Sequence, residues 1–327
     1  MLVRGVFLTK IVKLKEIKEI LKEIDPIKEI EMGFVEYSKG NVVVPPVGEM
    51  IFKNPPGDVH IKYGYIKEDR FYVIKIASGF YENIKLGLPS YSGLILLFNQ
   101  KTGELLCTLL DEGHLTNIRT AAAGAVVAKY LAPKKVKRIG IFGTGEQARL
   151  QLEYLKSHIN CNEVIVWGRA QEKLDAYVQD MESFGFKIET TLDSADVTST
   201  CNLIVTCTPA TSPLISSDQV MKGTHITAMG SDTPEKQELD AKILQLADRI
   251  VVDSINQVLT RGESFHALEQ GLISQADLLE LGNVIQDKKL QRNSDDEITI
   301  ADLTGVAVQD IQIAKAVWSK FREETKQ

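Results

Sequence analysis

Cysteine and histidine are both scarce in this chain of 327 residues, and the few present are not arranged for chemistry. The four cysteines, Cys107, Cys161, Cys201 and Cys207, form no CxxC pair, which removes the usual redox and zinc signatures. Cys201 and Cys207 stand in or beside an apolar run, the ordinary place for a buried free thiol. The five histidines make neither HExxH nor any other ligand spacing, so no metal site is expected. Long hydrophobic runs are missing too: none approaches the roughly 20 residues needed to cross a bilayer. The start, MLVRGVFLTKIVKLKE, has a short apolar patch broken by Arg4 and Lys10 and no small-residue cleavage site. No secretory leader is expected, and the location expected is cytoplasmic. Positive charge is not in excess either. A net charge of −6 disfavours nucleic acid and membrane surfaces as partners, since both need a basic face.

What remains is 44% hydrophobic and 25% charged, a globular composition, in a chain long enough for about two domains. From about Leu14 to Gly40 the apolar positions recur at helical spacing, with Asp25-Pro26 as a break and restart. From Val42 to Leu110 the pattern changes to short apolar runs, VHIKYGYI, FYVIKIAS, GLILLFN and LLCTLL, with KEDR and QKTGE as hairpin connections. This stretch predicts an antiparallel sheet. The Ala-rich run TNIRTAAAGAVVAKYLA predicts a helix. After it, KRIGIF, NEVIVWG, NLIVTC, THITAMG and DRIVVDS are short continuous apolar strands separated by helical stretches, the pattern of a parallel sheet covered on both faces. The tail LTGVAVQDIQIAKAVWSKFREE predicts a last amphipathic helix, returning to the first domain.

Gly143-Thr144-Gly145-Glu146-Gln147-Ala148 is a GxGxxA sequence between the strand KRIGIF and a helix. The first glycine makes the tight turn, the second lets backbone approach a pyrophosphate, and the small Ala148 lets helix and strand pack closely. The helix N-terminus offers unpaired N–H groups and partial positive charge to the phosphates. The motif alone is weak, but strand, helix and next strand all stand where it needs them. A nicotinamide dinucleotide is the expected cofactor. NAD sites usually place a carboxylate about 20 residues further on, for the ribose 2′-hydroxyl. Here Trp167-Gly168-Arg169 occupies that turn, and an arginine suits a 2′-phosphate, so NADP is favoured over NAD.

The run LTNIRTAAAGAVVAKYLAP, then GIFGTGEQA and AMGSDTPEKQELD, resembles the ornithine cyclodeaminase/mu-crystallin family, and the resemblance covers nearly the whole chain from Val42. It implies an α/β fold in which a Rossmann-type doubly wound parallel sheet, residues 119–302, is inserted into an α+β substrate-binding and dimerisation domain, residues 1–118 plus 303–327. It also implies a homodimer joined through the substrate-domain sheet. By the same resemblance Lys75 in VIKIASG is the substrate-domain lysine, Arg119 in NIRTAA holds the substrate carboxylate, and Asp232 in GSDTPEK is the catalytic acid. Ser90, Thr120, Thr208, Lys236 and Thr304 fall at positions that line cofactor or substrate in relatives.

These residue types suit hydride transfer at an amino-acid Cα. Guanidinium fixes a carboxylate bidentately, which orients Cα. A carboxyl group near the nitrogen can give it or take from it a proton. Two departures from the cyclodeaminases bear on substrate. Many relatives carry an arginine in the segment matching VPPVGEM, and residues 44–50 have none. Further, a symmetric hairpin around KEDR places Lys62 opposite Lys75, an unfavourable pairing unless something anionic lies between them. Ornithine cyclodeaminases carry a carboxylate at the position of Lys62, suited to a far ammonium; a lysine suits an anionic or uncharged far end. A bulge that shifts the register would turn Lys62 to solvent instead. His60 and Tyr65 of the same hairpin are further candidate substrate neighbours. Three readings stay open: an imine reductase or amino-acid dehydrogenase for a small amino or imino acid, a redox-neutral ornithine cyclodeaminase, and a non-catalytic mu-crystallin-like binding protein.

Overall fold

The computed structural model of the protein describes residues 9–324, so the opening MLVRGVFL read above for a leader lies outside the described residues. The chain divides into two compact units, Met1–Arg119 with Val306–Gln327, and Thr120–Gly305.

The first unit is built on a seven-stranded sheet in the order Lys10–Lys13, Leu105–Leu110, Tyr91–Asn99, Phe71–Gly79, Pro56–Ile66 and Val42–Val43, with Gly48–Lys53 also paired to Pro56–Ile66. The strands between 42 and 110 pair antiparallel, as their alternation predicts. Lys10–Lys13 instead runs parallel to Leu105–Leu110, and four residues with two lysines are too short to show a period. Along Phe71–Gly79, Val73, Lys75, Ala77 and Gly79 are buried and the residues between them half-buried. The side chains of a strand alternate, so these four share one face. Helix Ala307–Glu324 packs on strands 56–66 and 71–79 and against helix Pro26–Ser38. The predicted break at Asp25-Pro26 is a helix start: the Asp25 carboxylate accepts from the backbone N–H of Ile27 and Lys28, and Pro26 fills the first turn. The other sheet face stays partly open, with Tyr63, Tyr65 and Met50 each at least a third exposed and the rings of Tyr72 and Phe98 stacked at 4.6 Å.

The second unit is an eight-stranded, wholly parallel sheet in the order Lys187–Thr191, Glu163–Trp167, Ile139–Phe142, Leu203–Thr206, His225–Ala228, Thr299–Asp302, Arg249–Val252 and Leu278–Glu280. Its central strands are buried throughout, which is why they read as unbroken apolar runs. The chain order runs outward one way through strands 139–142, 163–167 and 187–191 and the other way from 203–206, so the switch point lies between 139–142 and 203–206. Three strands of this sheet escape the sequence pattern. Lys187–Thr191 (KIETT) and Leu278–Glu280 (LLE) are edge strands, and the buried Thr299–Asp302 (TIAD) has too few apolar residues to stand out.

Candidate functional site

At the switch point, Gly143 leaves the first strand with φ +124°, and a Cβ there would lie 3.2 Å from the carbonyl oxygen of Cys207. A side chain would therefore be strained and crowded, the physical reason for glycine. Gly145 is different. Its backbone is extended (φ −84°, ψ −174°), it precedes helix Glu146–Leu155, and a Cβ there would meet nothing within 4 Å. That empty space at a helix N-terminus is the kind of cradle a phosphate fills. Around it is a pocket of about 400 Å³ lined by Gly143, Thr144, Gly145, Arg169 and Thr208, among others. No carboxylate is among its lining residues, and Arg169 is exposed at its edge.

The other residues expected at the cofactor are placed differently, and among the described residues none of them lines this pocket. Ala148 is fully buried in a core with Ile141 and Val166, as close packing of helix and strand requires. Gln147 and Thr120 are joined through the fully buried Gln151, whose Nε2 donates to Gln147 Oε1 (3.3 Å) and the Thr120 carbonyl (3.0 Å). Thr304 is buried and donates to Asp253 Oδ1 at 3.0 Å.

Beyond the pocket, Glu238 is a residue the sequence reading missed. Its Oε1 accepts from the Thr208 N–H (2.6 Å) and hydroxyl (2.7 Å), and its Oε2 from the Thr206 hydroxyl (2.8 Å) and Gly230 N–H (2.9 Å). One carboxylate so ties the ends of strands 203–206 and 225–228 together. Burial raises its pKa, and these four hydrogen bonds oppose the rise. Asp302, also fully buried, is pushed up to about 7, chiefly by burial, although the Ser264 N–H donates to it at 2.7 Å. Asp232 follows strand 225–228 on a turn where Lys236 Nζ donates to its Oδ1 at 2.6 Å and Arg261 Nη1 to its carbonyl at 3.2 Å. Its side chain is 46% exposed.

In the first unit, Lys62 and Lys75 do stand opposite each other, and both are buried at 8% and 3% exposure. The bulge that would have turned Lys62 to solvent is not present there. His60 shares their face but sits 3.5 Å from each of Glu49 and Asp58, and Tyr65 points to the opposite face, which corrects its place as a neighbour. Ser90 is half-buried and joins the structure through its carbonyl, which accepts from the Phe80 N–H at 2.7 Å.

The anion that the paired lysines require is Asp310, in the first turn of helix Ala307–Glu324 and unread in the sequence. Its Oδ1 lies 3.3 Å from Lys75 Nζ and 3.2 Å from Arg119 Nε. Arg119 Nη1 donates to Gln309 Oε1 at 2.6 Å. Burial works to raise the Asp310 carboxyl, but Lys75, Arg119 and Lys62 outweigh it and hold the group below the ordinary carboxylate range. Burial is the main force pulling the Lys75 ammonium below its usual value; Arg119 adds to it and Asp310 opposes it. Asp111 completes the cluster, accepting from the Leu115 N–H at 2.9 Å at the start of helix His114–Leu131. Among the described residues no group of His, Cys, Asp and Glu is arranged to hold a metal ion, and no helix is long and apolar enough to cross a membrane.

Comparison with known proteins accounts for both units. An archaeal alanine dehydrogenase dimer with bound NAD is 32% identical with a TM-score of 0.87, over 97% of each chain. The Δ1-pyrroline-2-carboxylate reductase of Thermococcus litoralis, in complex with NADH and L-proline, is 27% identical with a TM-score of 0.89, over 97% of this chain and 98% of that one. The iminosuccinate reductase of Paracoccus denitrificans, in complex with NAD+, is 31% identical with a TM-score of 0.88, over 97% of each. Residues 8–325 match the family model described as ornithine cyclodeaminase/mu-crystallin, and with a phosphate cradle in one unit and a buried cationic cluster in the other, the chain belongs to that family.

Proposed function

We propose that the protein is an NAD(P)-dependent oxidoreductase acting on the C–N bond of a small amino or imino acid, as an imine reductase or amino-acid dehydrogenase. The observation that carries this reading is the buried cluster of Lys62, Lys75 and Arg119, three cationic side chains gathered beside Asp310. Such a cluster suits a substrate carboxylate. Asp310 and Gln309 take Arg119 Nε and one Nη1 hydrogen, which leaves Nη2 to grip that carboxylate. Similarity to a dehydrogenase and two reductases with bound NAD or NADH supports the redox reading over pure binding.

A nicotinamide bound at the switch point would supply or take the hydride. The chain's own residues would do the rest: Arg119 and Lys75 hold and orient the acid, and Asp232 exchanges a proton with the substrate nitrogen. Lys62, buried beside Lys75, favours a substrate whose far end is anionic or uncharged. NADP is preferred over NAD, because Arg169 edges the pocket and no carboxylate lines it to accept from a 2′-hydroxyl. The partly open sheet face bearing Tyr63, Tyr65 and Met50 joins two copies into a homodimer, with gel filtration and light scattering as the check; a monomer at micromolar concentration overturns that assembly.

The deciding experiment incubates the protein with NADPH or NADH, ammonium and a panel of 2-oxo acids, and separately with ornithine and NAD+. Loss of nicotinamide absorbance in the first set is the expected result. Proline and ammonia from ornithine without net absorbance change would replace this reading with the cyclodeaminase one.

A further inference from the structure

Asp310 has no part in the proton and hydride chemistry assigned above, yet it is 1% exposed at the centre of the cationic cluster. A lone buried carboxylate is costly, and so is a lone buried ammonium. Here each answers the other. Lys75 Nζ and Arg119 Nε converge on the same oxygen, Oδ1, at 3.3 and 3.2 Å, and Lys62 faces Lys75 from the neighbouring strand. The carboxylate arrives in the first turn of an 18-residue helix, where the helix dipole also favours negative charge.

We propose that Asp310 is a positioning residue for substrate binding: it bridges Lys75 and Arg119, keeps Lys75 cationic inside the fold, and sets the Arg119 guanidinium so that its remaining edge meets the substrate carboxylate. This rests on the reading of the cluster as the carboxylate site. The groups facing Lys75 are Lys62 from strand 56–66, Arg119 and Asp111 from helix 114–131 and the turn before it, and Asp310 from helix 307–324. Tyr91, on strand 91–99, is pushed up to about 12 chiefly by burial and stays neutral through the working range. With Asp310 made neutral, the largest influence opposing the burial of Lys75 and its repulsion from Arg119 is gone. Lys75 then loses its proton at a lower pH.

Two measurements on Asp310→Asn test this. The first is the pH profile of kcat/KM for oxaloacetate and for pyruvate, each with ammonium and NADPH. The expected result is a KM raised about tenfold with kcat changed far less, and an alkaline limb moved down by about one pH unit. Asp310→Glu should return the limb most of the way. A limb that stays in place overturns the proposal. The second needs no turnover: melting temperature against pH. An ammonium held below its ordinary value costs stability while it remains protonated, and that loss is recovered as pH rises through the lowered value. Asp310→Asn should therefore start to regain stability relative to wild type at a lower pH than wild type does, and adding Lys75→Met should remove that gain. Parallel pH curves for variant and wild type overturn the charge role, even if no substrate is found. An inactive wild type together with the predicted stability curves leaves the bridge standing and refutes only the enzyme reading.

Discussion

On the proposed reading, the two units would recognise their ligands in opposite ways. In the dinucleotide unit the work is done by backbone: a glycine at positive φ, a second glycine that leaves space, and the start of a helix. In the other unit it is done by buried charge, with Lys62, Lys75, Arg119 and Asp310 packed between a sheet and a helix. Backbone recognition tolerates many phosphates and leaves a short local motif in the sequence. Charge recognition would select the substrate and is assembled from distant segments.

Substitutions can break that contrast at four levels. The largest effect belongs to Asp232→Asn, which should cut turnover by about a thousandfold while dinucleotide affinity stays nearly intact, as titration of NADPH fluorescence would show. Equal loss of both would mean the acid is misassigned. Next, Gly145→Val sets a Cβ where nothing lies within 4 Å and bulk in the phosphate cradle, so dinucleotide affinity should fall about a hundredfold with little change in melting temperature. A large drop in melting temperature would show that the cradle is structural. A smaller change is expected from Arg169→Ala, about tenfold weaker binding of NADPH with NADH little affected, measured by the same titration. Equal weakening of both would make Arg169 a general phosphate contact.

The last effect is a pH slope. Asp302 is held at about 7, above its ordinary value, so the fold retains a proton the unfolded chain releases. Stability should fall as pH rises from about 4 to about 7, by at most about 1.4 kcal/mol per pH unit for a single group. Asp302→Asn should flatten this slope, and a slope unchanged in chemical denaturation against pH would assign it elsewhere.

The same contrast explains what could be read from the sequence. The glycine turn was legible because strand, turn and helix are adjacent in the chain. The Lys62–Lys75 pairing was legible because a symmetric hairpin fixes its register. Asp310 was not, because its partner Arg119 lies 191 residues away. A trace existed: Asp310 falls on the buried stripe of Ala307, Ala314 and Val317, where a carboxylate is out of place unless paired. Glu238 left no such trace, since its four donors belong to strand ends whose adjacency only the sheet order reveals. Gln147 and Thr120, far apart in the chain, meet through Gln151, a contact with no sign in the sequence.

The free cysteines carry a practical consequence. Burial pushes the thiols of Cys107 and Cys201 up to about 12 and about 11, and Cys207, which lines the dinucleotide pocket, is raised by the same cause. At neutral pH almost none of these three is thiolate, the form that peroxide and alkylating agents attack. Those three thiols should therefore react slowly with oxidants and alkylating agents at neutral pH.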